Sequence, residues 1–194
     1  MNFLAHAYLS GNNPDILFGN FVADGIKGSA VDGYALDIRK GITLHRAIDA
    51  FTDNHPIVKQ SVKRLQPVFN KYSVVIVDIY YDHFLAKNWT TYSSMELKDF
   101  AANIYKLLTK RYNLLPSRTK RALPFMIAQN WLVGYAKLNE LHRIFLGMSR
   151  RARFNSGMEN AVDFLRLHYK EFEQDFTHFF PELKAYCQQF RASM

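Results

Sequence analysis

A single cysteine, Cys187, occurs among 194 residues. That excludes an internal disulfide and every cysteine-rich zinc site. No run approaches the roughly 18 apolar residues of a membrane-spanning helix. Glycine (9) and proline (6) are sparse, so they punctuate the chain and build no linker or low-complexity segment. Acidic residues are outnumbered, 17 against 25 lysines and arginines, for a formal net charge of +8. Zinc-finger spacing, an RNA-binding signature and a glycine-rich phosphate loop are all missing, which argues against dedicated nucleic-acid binding. The stretch Met1–Ser10 has neither the basic start nor the cleavage site of a signal peptide, so a cytoplasmic location is expected.

What is present suffices for a packed interior. Hydrophobic residues make up 48% and aromatics 15%, which rules out a disordered chain. The length fits one domain over residues 1–194. Apolar residues recur at helical spacing, with little strict alternation. Helices are expected over residues 2–10, 14–24, 35–53, 57–70, 73–87, 95–112, 117–137, 140–153 and 158–176, with a last short one opening at Pro181. Gly25–Gly33 reads as a loop, and the β-branched run Val74–Val77 is the one rival strand. The expected fold is an all-α bundle of about eight to ten helices.

Polar groups sit oddly in two of these helices. Val74–Ala86, VVIVDIYYDHFLA, is apolar nearly all round, the pattern of a buried helix. Its strongly polar residues are Asp78, Asp82 and His83, and a buried carboxylate must be paired, protonated or bound to a cation. An ion pair with an arginine beside a core histidine satisfies them; so does a metal site. In Gly41–Asp53, GITLHRAIDAFTD, the residues Leu44, Ile48 and Phe51 form an apolar stripe. His45, Asp49 and Thr52 cluster on another face, flanked by Arg46 and Asp53. A histidine and an aspartate at i, i+4 reach one cation, or else form part of a solvated polar face.

His6 lies between two alanines in the apolar stretch Phe3–Leu9. Asp24 precedes Gly25, with Lys27 and Gly28 beyond; this is either a helix end or a carboxylate and a lysine beside a phosphate. Basic residues gather at Lys106, Lys110, Arg111, Arg118, Lys120 and Arg121, and again at Arg150, Arg151 and Arg153.

Taken together, MNFLAHAYLS, the DGIKG stretch Asp24–Gly28, GITLHRAIDAFTDNHP, DIYYDHFLAKNW and Phe179-Phe180-Pro181 resemble the acyl carrier protein phosphodiesterase family. The pieces stand in family order and span nearly the whole chain. The resemblance implies an all-helical relative of the HD-type metal phosphohydrolases. It implies hydrolysis of the phosphodiester that joins 4′-phosphopantetheine to a serine of acyl carrier protein. It also implies a divalent metal, usually manganese; the mix of imidazole and carboxylate suits iron or zinc as well.

By position, His6 matches the family's N-terminal histidine and Asp24 its catalytically important aspartate. His45, Arg46 and Asp49 match its HRxID motif, Asp53 and Asn54 the continuation, and Asp82 and His83 its DH pair. Gly25 and Ile26 replace a Phe-Val pair common after that aspartate, while Lys27 and Gly28 remain. The expected metal ligands are therefore His6, Asp24, His45, Asp82 and His83. Asp24, His45 and Asp49 are expected to be catalytic, and Lys27, Arg46 and Arg150 to hold phosphate oxygens. The acidic carrier protein is the expected partner. Two other readings remain: a phosphohydrolase of a nucleotide or other small phosphoester, and a non-catalytic helical adaptor for acidic proteins.

Overall fold

The computed structural model describes residues 1–194, which form twelve α-helices and five 3-10 turns with no strand. The helices are α1 (Phe3–Leu9), α2 (Pro14–Val22), α3 (Leu36–Asn54), α4 (Pro56–Phe69), α5 (Ser73–Lys87), α6 (Trp89–Tyr92), α7 (Leu97–Lys110), α8 (Ser117–Ala128), α9 (Trp131–Gly134), α10 (Leu138–Arg151), α11 (Ala161–Leu167) and α12 (Tyr169–Ala192). Pro14 and Pro56 open α2 and α4, where a missing N–H breaks no intrahelical bond. The Asn13 side chain accepts from the N–H groups of Asp15 and Ile16 and caps α2. Gly25–Gly33, expected as a loop, is largely 3-10 turn, over Ala23–Gly25 and Gly28–Gly33.

Helix α5 runs through the interior. Ile76, Val77, Ile79, Tyr80, Tyr81, Phe84 and Leu85 are all fully buried, as an all-round apolar helix requires. Burial on every side also explains why the Val74–Val77 run is helical: tertiary packing outweighs its β preference. Against α5 lies α12, with Tyr81 and Phe84 packed on Phe176 at ring separations of 5.7 and 5.9 Å. One connected cluster of 47 buried residues joins these helices, so the chain has a single interior.

The short α6 falls outside every expected helix, and two longer segments divide differently from the sequence expectation. The segment 117–137 divides where Asn130 adopts a left-handed φ of 46° between α8 and α9. The C-terminal region breaks at His168, and α12 then runs unbroken through Pro181. An interior proline costs about 3 kcal/mol. Here the continuous helix keeps Phe179, Phe180 and Leu183 buried. Each such side chain contributes about 1.5–3 kcal/mol, so packing outweighs the lost ladder bond.

The closest helix contact is between α2 and α3. A Cβ on Gly19 would lie 2.0 Å from the Ile38 carbonyl oxygen, and one on Gly41 would lie 2.2 Å from that of Ile16. Only glycine permits this approach. It sets Asn20 of α2 beside His45 of α3. Gly41→Ala should therefore force the backbones apart and lower stability by about 1–3 kcal/mol. Gly33→Ala, with no atom within 4 Å of its added Cβ, should stay within about 0.5 kcal/mol of the parent. Urea unfolding of both variants checks this; equal midpoints would show that the helices can separate freely.

Candidate metal centre

Two helices and a 3-10 turn converge at the centre. α1 supplies His6, and α3 supplies His45 and Asp49 one turn apart. Asp24 comes from the 3-10 turn that follows α2. Ligand-type atoms of His6, His45 and Asp49 lie within 4.8 Å of one another. His6 Nε2 is 3.1 Å from Asp49 Oδ1, and His45 Nε2 is 3.1 Å from Asp49 Oδ2. The two imidazoles stack with centroids 4.0 Å apart. Asp24 approaches from the solvent side, its side chain 74% exposed and Oδ1 at 3.2 Å from His45 Nε2.

Asn20 determines which nitrogens face inward. Its side-chain N–H groups donate to the His6 carbonyl and to Ser10 Oγ, both at 2.9 Å. That leaves Oδ1 to accept from His6 Nδ1 at 2.8 Å. The Asn20 carbonyl accepts from His45 Nδ1 at 2.9 Å. Both Nδ1 atoms therefore carry protons, so in a neutral ring Nε2 turns a lone pair toward the aspartates, and in a protonated one it donates to them. His6 Nε2 is buried and makes no hydrogen bond of acceptable angle. Acceptors facing acceptors require a cation or added protons between them. The residues present thus fit a divalent metal, with two imidazoles and the Asp49 carboxylate as donors and Asp24 beside them.

The electrostatics follow from this crowding. Burial disfavours the charged form of His45, yet hydrogen bonds to Asp24 and Asp49 overcome it and pull the ring up to about 9. His6 moves the other way, pushed down chiefly by burial and further by its stacked neighbour, despite Asp49. Burial opposes ionisation of Asp49, but both histidines hold its carboxyl far below the usual range. The hydrogen bond with His45 lowers Asp24 as well.

Two expected ligands are elsewhere. Asp82 is fully buried beneath the start of α1 and accepts from the backbone N–H groups of Asn2, Leu4 and Ala5 at 3.3, 2.7 and 3.2 Å. Its carboxylate caps the helix dipole that carries His6. Asp78, its neighbour on α5, pairs with the Met1 α-amino group at 2.9 Å. His83 donates from Nδ1 to the Tyr135 carbonyl at 2.7 Å, and its Nε2 accepts from the Tyr169 hydroxyl at 2.9 Å. No lone pair remains for a metal, so His83 is a satisfied core histidine.

The basic side chains are also rearranged. Lys27, Arg46 and Arg150, expected at the phosphate, are exposed and do not line the cleft that Asp24 borders. Arg118, Arg121, Arg143 and Arg151 do. Sequence reading noted three of these four only as members of charge clusters. It missed Asn20 altogether, although an amide inside the apolar run ILFGNFV was a visible oddity.

Comparison with known proteins bears on what this centre serves. A family model described as acyl carrier protein phosphodiesterase matches residues 1–183. The chain belongs to that family. It is 32% identical over 185 residues to the acyl carrier protein phosphodiesterase of Photorhabdus laumondii, covering 93% of this chain and 92% of that one. Identity to the protein of the same name from an Enterobacter species is 31%, over 94% and 95% of the two chains. For that of Yersinia enterocolitica it is 29%, over 97% and 98%. No solved structure matches.

Acyl carrier protein phosphodiesterases are enzymes, so the odd Asp and His groups of this member belong to a chain from a catalytic family. Its Gly25 has a local cause here. A Cβ at that position would meet Pro116 Cβ at 2.7 Å, so the turn carrying Asp24 packs directly on the start of α8.

Asn20→Ala removes three side-chain hydrogen bonds. At about 0.5–1.5 kcal/mol each, stability should fall by about 2–4 kcal/mol. Nitrogen-15 NMR of the metal-free protein should show His6 as a tautomer mixture, with His45 still protonated at Nδ1 through the backbone carbonyl. Unchanged His6 signals would remove Asn20 from this role.

Proposed function

We propose that this chain is a metal-dependent phosphodiesterase that releases 4′-phosphopantetheine from the serine of holo-acyl carrier protein. His6, His45 and Asp49 hold the cation, with Asp24 at its open side. The observation that carries the reading is the convergence of His6, His45 and Asp49 at one place in a chain of this family, with His6 Nε2 buried and without a hydrogen-bond partner. Family membership over nearly the whole chain supports the substrate. Manganese is the expected metal, with iron or zinc compatible with the same donors.

When bound, the cation supplies Lewis acidity toward a phosphoryl oxygen and makes an attacking water easier to deprotonate. The chain's own residues do the rest. Asn20 locks both imidazoles so that their Nε2 atoms stay turned inward. Asp24, exposed and beside His45, orients the water and takes its proton. The water oxygen stays on phosphorus, the bond from phosphorus to the serine oxygen breaks, and that oxygen leaves as the serine hydroxyl with the proton that Asp24 took from the water. Arg118 and Arg121, in the first two turns of α8 next to the Asp24 turn, hold the non-bridging phosphate oxygens.

Holo-acyl carrier protein incubated with the enzyme and manganese should lose the phosphopantetheine mass in intact-mass spectrometry. A chelator, Asp24→Ala and Asp49→Ala should each abolish the loss. Conversion that persists in the chelator would sink the metal. An unchanged carrier beside hydrolysis of a nucleotide would move the substrate to another phosphoester.

The basic surface gives a second expectation. Complementary charge speeds encounter more than it tightens a complex. Attraction between exposed charges is cut as the screening length shortens from about 10 Å at 0.1 M salt to about 3 Å at 1 M. kcat/KM for the carrier should fall steadily with added salt while kcat holds. A flat profile would exclude electrostatic docking.

A further inference from the structure

Beside the centre, helices α8 and α10 bound a cleft of about 670 Å³, of which the chemistry above uses only the edge formed by Asp24, Arg118 and Arg121. Phe125 and Met126 of α8 and Ile144 and Met148 of α10 line it, with Phe21 and Trp131 among the other apolar residues. Phe125 is 59% exposed, a large apolar side chain left open at the cleft.

We propose that this cleft is the subsite for the pantetheine arm of the carrier protein, entered at Asp24 by the phosphate and filled beyond it by the chain of the arm. The inference rests on the proposed function and names a part of it.

Three observations support the assignment. The first is continuity: Asp24 borders the cleft and also sits 3.2 Å from His45 Nε2. The space between α8 and α10 is therefore within reach of a group bonded to a phosphate at the centre.

The second is size. The volume falls within the roughly 300–1,000 Å³ of small-molecule sites.

The third is polarity along α8. Its start packs on the Asp24 turn through Pro116, and Arg118 and Arg121 lie in its first turns. Phe125 and Met126 follow one turn farther from Asp24. Cationic first and apolar beyond is the order presented by a phosphate attached to a flexible chain of methylenes and amides. Asn2, Thr119 and Gln129, also on the lining, offer partners to those amides.

The test uses an intrinsic probe. Trp131 lines the cleft, whereas the only other tryptophan, Trp89, is buried elsewhere. In a Trp89→Phe background, 4′-phosphopantetheine should change the indole emission saturably, and inorganic phosphate at the same concentration should not. In kinetics, Phe125→Ala and Met148→Phe should each lower kcat/KM for holo-carrier, relative to that for bis(p-nitrophenyl) phosphate, by at least about ten-fold. Phe125 is exposed enough for its variant to fold, and circular dichroism checks both. If the parent cleaves holo-carrier while both variants keep its ratio and Trp131 stays silent, the cleft assignment is wrong and the proposed function stands. A parent that cleaves bis(p-nitrophenyl) phosphate but never holo-carrier overturns both.

Discussion

Gly19 and Gly41 let the backbones of α2 and α3 touch, and the arrangement of the centre depends on that contact. It brings Asn20 near enough to bond His6 through its side chain and His45 through its carbonyl. It also carries the end of α2, and with it Asp24, to the exposed side of His45. A side chain at either glycine would separate a histidine from the group that orients it. The interaction is steric and local, but its effect is electrostatic: two lone pairs and two carboxylates point at one small volume.

Buried polar residues meet two different ends in this fold. Asp82 and His83 have every strong hydrogen-bonding need met by the protein, through three backbone N–H groups in one case and a carbonyl and a hydroxyl in the other. They hold α1 and the region around Tyr135 in place. His6 does not reach that balance, its Nε2 buried without a hydrogen-bond partner, and His45 does so only with an extra proton. The difference between a structural and a functional polar group here lies in whether its partners are donors or further acceptors. Asp82 still serves the centre indirectly, because it anchors the helix that bears His6.

The family relation and the geometry speak to separate questions. Matching over residues 1–183 identifies the family. The geometry proposes which atoms carry the chemistry, and it shifts the emphasis from Asp82 and His83 to Asp49 and Asn20. It also moves the cationic lining from Lys27, Arg46 and Arg150 to the arginines of α8 and α10. Those helices lie far along the chain from Asp24, and the cleft exists only because the chain returns to it.

Local patterning was enough to read the all-α class, the proline-started helices and the buried character of α5, since each depends on neighbours within a few residues. The i, i+4 pairing of His45 with Asp49 was legible for the same reason. The course of α12 through Pro181 was not, because burial of Phe179, Phe180 and Leu183 against other helices outweighs the local cost of proline. Nor could the sequence separate Asp82 from Asp49, as both are aspartates on helices with apolar faces. Only the fold set one under the N-terminus of α1 and the other between two imidazoles. Residue type and spacing determine what a side chain is able to do; the partners that reach it across the fold determine which of those things it does.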